Sequence, residues 1–188
     1  MDVNEKKRGR PVGKLTQLSA DGILETAKCL MKENGKVPSI RSLATQLNVD
    51  PMAIYHYYKN KNSLLEALTT SLVVEIYLPQ ERSDWQNELK HLCVSYIEIL
   101  REYSGLLQTM LSMTSDGPAQ IFTERYKIIV STLALPKKIE KDGLDLLADY
   151  LHGFAFSISC CHDESMVKTE MMNGPLALIC NALESSRT

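Results

Sequence analysis

Apolar residues return at helical spacing along most of the chain. Ile23, Ala27, Leu30 and Met31 form one stripe, Ile40, Leu43, Ala44 and Leu47 a second, and Leu64, Leu65, Leu68, Leu72 and Ile76 a third. Farther on, the same spacing carries Trp85, Leu89, Leu92, Tyr96, Ile99 and Tyr103, then Leu144, Leu147, Leu151, Phe154 and Ile158, and finally Leu176, Ile179 and Leu183. A period of about 3.6 residues puts such side chains on one helical face. No stretch alternates convincingly enough to read as a strand. Breakers and turn formers divide the stripes at Asn34-Gly35, Asn48 to Pro51, Lys59 to Asn62, Pro79, Ser104-Gly105, Ser115 to Pro118, Pro136 and Asn173 to Pro175. The pattern predicts an all-α chain of about eight or nine helices without internal repeats.

The second and third predicted helices are short, and their joint is informative. Ser39 can cap a helix that buries Ile40, Leu43, Ala44 and Leu47; Asp50 can cap the next, with Pro51 at its first position, where a missing N–H costs nothing. This is a helix-turn-helix, whose second helix enters the DNA major groove. Ile54 and Tyr58, spaced i,i+4, are expected to face inward. Tyr55, His56 and Tyr57 are left outside, with Met52 and Ala53 near the helix start. Tyrosine hydroxyls can bond phosphate oxygens, and Lys59 and Lys61 add charge that releases counterions. The following helix, from about Asn60 to Leu78, offers its first amides to a further phosphate. A tyrosine-rich short helix also suits a core plug or a protein-contact patch.

Charge sharpens the picture. The formal net charge is −2, but residues 1–62 hold eleven Lys/Arg against six Asp/Glu, and the remainder ten against seventeen. A basic front and an acidic remainder suit a chain whose first third meets a polyanion. Within that front, Lys6-Lys-Arg-Gly-Arg-Pro-Val-Gly-Lys14 holds five basic residues and no acidic one. Arg8 and Arg10, on a thin Gly/Pro backbone, suit a minor-groove hook that orders only on DNA; a solubilising tail has the same composition.

The stretch from Ser39 to Leu68 resembles the tetracycline-repressor (TetR) family of bacterial transcriptional regulators, most specifically in Val49-Asp-Pro-Met-Ala-Ile-Tyr-His-Tyr-Tyr-Lys-Asn-Lys-Asn-Ser-Leu-Leu65. The resemblance implies that Ile54 and Tyr58 are buried, that Tyr55 and Lys61 contact phosphate, and that Arg41, two residues after Ser39, touches bases or phosphate. Two departures stand out: Tyr57 replaces the usual histidine, and Pro51 and Met52 stand where polar base-reading side chains are common. The implied organisation is a basic arm over 1–18, a DNA-binding domain over 19–66 and an effector-binding and dimerisation domain over 67–188.

Beyond Pro79 the resemblance is to general layout, anchored at Trp85 and around Leu151-His-Gly-Phe154. Alignment from Lys61 and Trp85 places Tyr77, Leu92, Tyr96, Met110 and Met113 at the family's effector positions, and no imidazole is left there to hold magnesium. An apolar or aromatic effector in a Met- and Tyr-lined cavity is expected, although side chains of this kind also fill ordinary cores. Two late helices, about Lys141 to Asp163 and Pro175 to Ser185, resemble the family's dimerisation pair. Leu147, Leu151, Phe154, Ile158, Leu176, Ile179 and Leu183 are the expected interface, with Gly153 allowing close approach; burial of both stripes within one molecule is the alternative. A two-fold dimer would set its recognition helices about 34–36 Å apart on a palindromic operator.

Remaining motifs are weak. Cys160, Cys161, His162 and Asp163 are consecutive, and adjacent helical residues point about 100° apart, so they cannot converge on one ion without other ligands. The five cysteines lack regular spacing, as expected of reduced thiols. No nucleophile elbow, phosphate loop or dinucleotide fingerprint occurs, so neither catalysis nor a cofactor is expected. With no apolar run of membrane-span length, the chain is expected in the cytoplasm, without membrane contact. The sum is a homodimeric repressor, released from duplex DNA by a small effector. A repressor switched by oxidation of Cys160 and Cys161, or an architectural DNA-binding protein without effector, are the alternatives.

Overall fold

Ser19, Ser39, Asp50 and Asn60 each stand one residue ahead of a helix, and each accepts a backbone N–H of the first turn, from Gly22, Ser42, Met52 and Ser63 respectively. These caps divide the first part of the chain into α1 (Ala20–Asn34), α2 (Ile40–Leu47), α3 (Pro51–Tyr55) and α4 (Lys61–Val73). After α1 the chain turns at Gly35, whose φ of 64° favours glycine, and after α2 at Asn48 with a φ of 53°. The computed structural model describes residues 18–80, 84–161 and 167–187. Among them follow α5 (Trp85–Glu102), α6 (Leu106–Ser112), α7 (Gly117–Val130), α8 (Lys137–Cys160) and α9 (Asn173–Ser185), with 3-10 turns at Ser131–Leu133 and Thr169–Met172 and no strand. The expected arm residues Arg8 and Arg10 lie outside the described residues.

The predicted stripes point inward. Ile23, Met31, Leu43 and Ile54 are fully buried in a head made of α1–α3 and the start of α4; Leu68, Leu72, Leu89, Leu92, Tyr126 and Leu147 continue the same core through the second part. Helix α4 joins the two, packing on α1 at one end and on α5, α6 and α7 along its length, while α5 packs on α7, α8 and α9. A second joint lies at the far end of α1. There Lys28 pairs with Glu75 at 2.7 Å and Lys32 with Glu102 at 2.7 Å. A Cβ on Gly105 would lie 3.0 Å from the Cα of Lys36, so glycine is what lets the turn after α5 touch the chain just past α1.

Three helix limits differ from the periodicity. Helix α4 stops at Val73, short of Leu78: the next bonds tighten to Glu75–Leu72 and Ile76–Val73, and Arg125 accommodates the freed carbonyls of Val74, Ile76 and Tyr77. Helix α8 begins at Lys137, directly after Pro136, and α9 at Asn173, with Pro175 inside its first turn, where proline loses no bond. No helix among the described residues is long and apolar enough to cross a membrane.

Candidate nucleic-acid interface and effector cavity

Helix α3 has five residues, and the chain passes through a turn at His56 and Tyr57 before Asn60 caps α4. Ile54 is fully buried and Tyr58 is 9% exposed, its hydroxyl donating to the Ala20 carbonyl at 3.1 Å. Those two anchors fix which way the rest of the segment faces. Met52, Tyr55, His56, Lys59 and Lys61 are exposed on one side, and Arg41 and Ser39 stand exposed at the start of α2. Ala53 is half-buried. Tyr57 is also exposed, yet its hydroxyl proton is engaged by the Leu18 carbonyl, just ahead of α1, which leaves Tyr55 as the free phenolic donor of the group.

A cavity of about 230 Å³ opens between α5, α6, α7 and α8. Of the expected effector residues, Tyr96 and Met110 line it. The other three do not: Leu92 is fully buried in the core, Tyr77 donates to Glu88 at 3.0 Å on another face, and Met113 contacts Thr69 of α4 through its sulfur. Several lining residues escaped the sequence reading, above all Phe122 on α7 and His152 on α8. The Tyr96 hydroxyl lies 3.1 Å from His152 Nε2, and the Phe122 ring packs on Tyr96 with centroids 4.9 Å apart. Burial holds the His152 pKa below the ordinary histidine value, with Asp149 acting in the opposite sense, and burial pushes the Tyr96 hydroxyl well up. An imidazole therefore stands at the cavity, at a position outside the five expected effector residues. Ser115, on the wall, donates to the Glu66 carboxylate of α4.

Residues 23–68 match the sequence profile of bacterial regulatory proteins of the tetR family. Those residues form a tetR-family domain. The domain is a helix-turn-helix, and the class G tetracycline repressor protein of Vibrio anguillarum is 31% identical over 93 residues, covering 47% of this chain. The chain spans under half of that relative, 44% of its length. The TetR fold extends over the rest of the molecule. ActR of Streptomyces coelicolor, solved in complex with actinorhodin, superposes with a TM-score of 0.77 at 17% identity over 89% of this chain and 96% of its own. BioQ, solved with its double-stranded DNA operator, gives 0.73 at 17% identity over 90% and 99%.

The expected dimer stripes are turned the other way. Leu147, Leu151, Ile158, Leu176, Ile179 and Leu183 are buried in the protomer's own core, and Phe154 is half-buried. What α8 and α9 leave outside is the neighbouring stripe: Leu146, Phe156 and Leu178 are 56%, 64% and 71% exposed, and Gly153 has open space before it. Among the cysteines, Cys160 is exposed and Cys161 half-buried, while Cys93 and Cys180 are buried thiols whose pKa is raised by burial, to about 11 for Cys180. Among the described residues no His, Cys, Asp or Glu cluster is arranged to hold a metal ion.

Proposed function

We propose that the protein is a TetR-type transcriptional repressor that binds a palindromic operator as a homodimer and is released by a small, largely apolar or aromatic effector. The carrying observation is the side-chain division at the helix-turn-helix: Ile54 and Tyr58 are buried, while Tyr55, His56, Lys59 and Lys61 face outward together. In the proposed complex Tyr55 donates to phosphate, Lys61 and the first amides of α4 hold another phosphate, and Met52, Ala53 and Arg41 meet the base edges. Arg8 and Arg10 enter the minor groove. Residues 19–66 act as the DNA-reading unit, and 67–188 as the effector and dimer unit, working in the cytoplasm. The second copy docks on Leu146, Gly153 and Phe156 of α8 and Leu178 of α9, the apolar surface the protomer leaves uncovered. Solved relatives with actinorhodin in one case and an operator in another are consistent with both halves of the proposal.

Release follows from the wall of the cavity. Ser115 is bonded to Glu66 and Met113 touches Thr69, so an occupant that displaces the loop between α6 and α7 pulls on α4, which carries the head. The effector shifts the population only to the extent that it prefers the unbound form.

The test is selection of duplexes from a random pool by the full chain, followed by anisotropy titration of the recovered site. A palindrome is expected. Tyr55→Ala and Lys61→Ala should each weaken binding by about 1–3 kcal/mol, and Lys61→Ala should also reduce the salt slope by about one. A pool that yields no common sequence, or variants that bind as tightly as the parent, would remove the repressor assignment.

A further inference from the structure

We infer that the cavity between α5, α6, α7 and α8 selects compact, uncharged aromatic molecules bearing a phenolic hydroxyl or ring carbonyl, and that Tyr96 and His152 read that polar group. This rests on the effector role proposed above and adds the chemistry of the occupant.

The apolar part is built by Phe122, Met110, Leu111, Pro118 and Leu144. Phe122, Tyr96 and His152 come from three different helices and follow one another in tilted contact, with centroids 4.9 Å apart and then 6.1 Å, giving the cavity an aromatic flank suited to a planar ring. The volume of about 230 Å³ falls below the roughly 300–1,000 Å³ of drug-sized sites, which limits the occupant to a compact ring system.

The polar part is a hydrogen-bonded pair with a proton to spare. If Tyr96 donates to Nε2, the ring N–H of His152 sits at Nδ1; if Nε2 donates, the Tyr96 hydroxyl proton is released. Each arrangement leaves one donor for a carbonyl or phenol oxygen, and the second also leaves the Nδ1 lone pair for a phenol proton. Neither arrangement carries charge, since burial keeps the imidazole neutral near pH 7. Of the other polar groups on the wall, Ser115 donates to Glu66, the exposed Asp145 is paired with Lys141, and Thr123 adds a neutral hydroxyl. A carboxylate entering the cavity would lose its water without meeting an opposite charge, and an ammonium would meet only Asp145, already paired with Lys141.

A matched set with one ring system isolates the polar group: naphthalene, 2-naphthol, 2-naphthoate and 2-naphthylmethylammonium, titrated calorimetrically into the full chain at pH 7.5. We expect 2-naphthol to bind about three- to tenfold more tightly than naphthalene, with both ions weakest. Tyr96→Phe and His152→Leu should erase the hydroxyl preference while leaving naphthalene affinity in place, which also shows that the variants fold. Nitrogen chemical shifts of the His152 ring should move on adding 2-naphthol and not naphthalene. Equal affinity for naphthol and naphthalene, preference for an ion, or a preference that survives both substitutions overturns the assignment while leaving a working cavity. No binding by any of the four overturns it together with the effector role.

Discussion

Arg125, in α7, donates to the carbonyl oxygen of Val74, one residue past the end of α4, at 2.8 Å, and its guanidinium also bonds the carbonyls of Ile76 and Tyr77. One buried cation thus serves several carbonyls left over by a helix end, and its pKa is lowered by that burial. The same helix lends Phe122 to the cavity wall. Since a hydrogen bond to a charged group contributes about 1.5–3 kcal/mol, Arg125→Met should destabilise the fold by about 3 kcal/mol. That is a fall of roughly 6–12 °C in the thermal midpoint. A melt indistinguishable from the parent would show that the carbonyls find other partners.

Ser115 and Glu66 make a direct hydrogen bond from the cavity wall to α4. Ser115→Ala should keep effector affinity within about twofold but reduce the coupling between effector and DNA, a quantity typically of about 1–3 kcal/mol. Paired titrations, effector with and without DNA, measure it directly; unchanged coupling would place the transmission elsewhere.

Gly105 is a contact between the two parts of the molecule. A Cβ there meets the Lys36 backbone at 3.0 Å and the Gly35 carbonyl at 3.1 Å, and neither is a flexible side-chain end. Gly105→Val should cost about 1–3 kcal/mol by overpacking. Hydrogen exchange should rise at the end of α1 while the middle of α5 stays protected.

Stability should depend on pH through His152. Burial depresses its folded pKa below 6.5, so the unfolded chain binds its proton first as the solution acidifies. The contribution is fully present above about pH 6.5, falls as pH drops from there toward the folded pKa, and levels off below it. Tyr96 from α5 is a neutral neighbour, and Asp149 on α8 opposes the shift as the lesser influence. Urea midpoints measured between pH 8 and 5 should show this loss, and His152→Gln should flatten that part of the profile.

Phe156 tests the second copy. Phe156→Glu on the exposed face of α8 should give monomers by sedimentation at concentrations where the parent is dimeric, with an unchanged melting profile of the isolated protomer. Leu151→Ala, by contrast, removes a fully buried side chain and should cost about 2–5 kcal/mol of protomer stability.

The head was readable because its signals are local. Each cap acts within three residues, and the i,i+4 pair Ile54 and Tyr58 leaves only one way for Tyr55 and Tyr57 between them to face. The second part depends on choices made at a distance. Helix α8 has apolar residues on two sides, Leu147 and Leu151 on one, Leu146 and Phe156 on the other, and periodicity cannot tell which side the protomer itself will cover. The carbonyls past the end of α4 are satisfied by Arg125, far along the chain. Leu92 and Tyr96 share a helical face, yet only Tyr96 reaches the cavity, while His152 joins it from a helix whose stripe pointed to an interface.

Leu18 is where the chain enters the folded head, and its carbonyl is clasped by Tyr57 from the loop that follows α3. Whatever path the preceding residues take, they depart from the doorstep of the recognition loop. In the proposed complex, lengthening the chain between Arg10 and Leu18 would therefore change how far along the duplex an arginine of the arm lands without altering the register of the recognition segment.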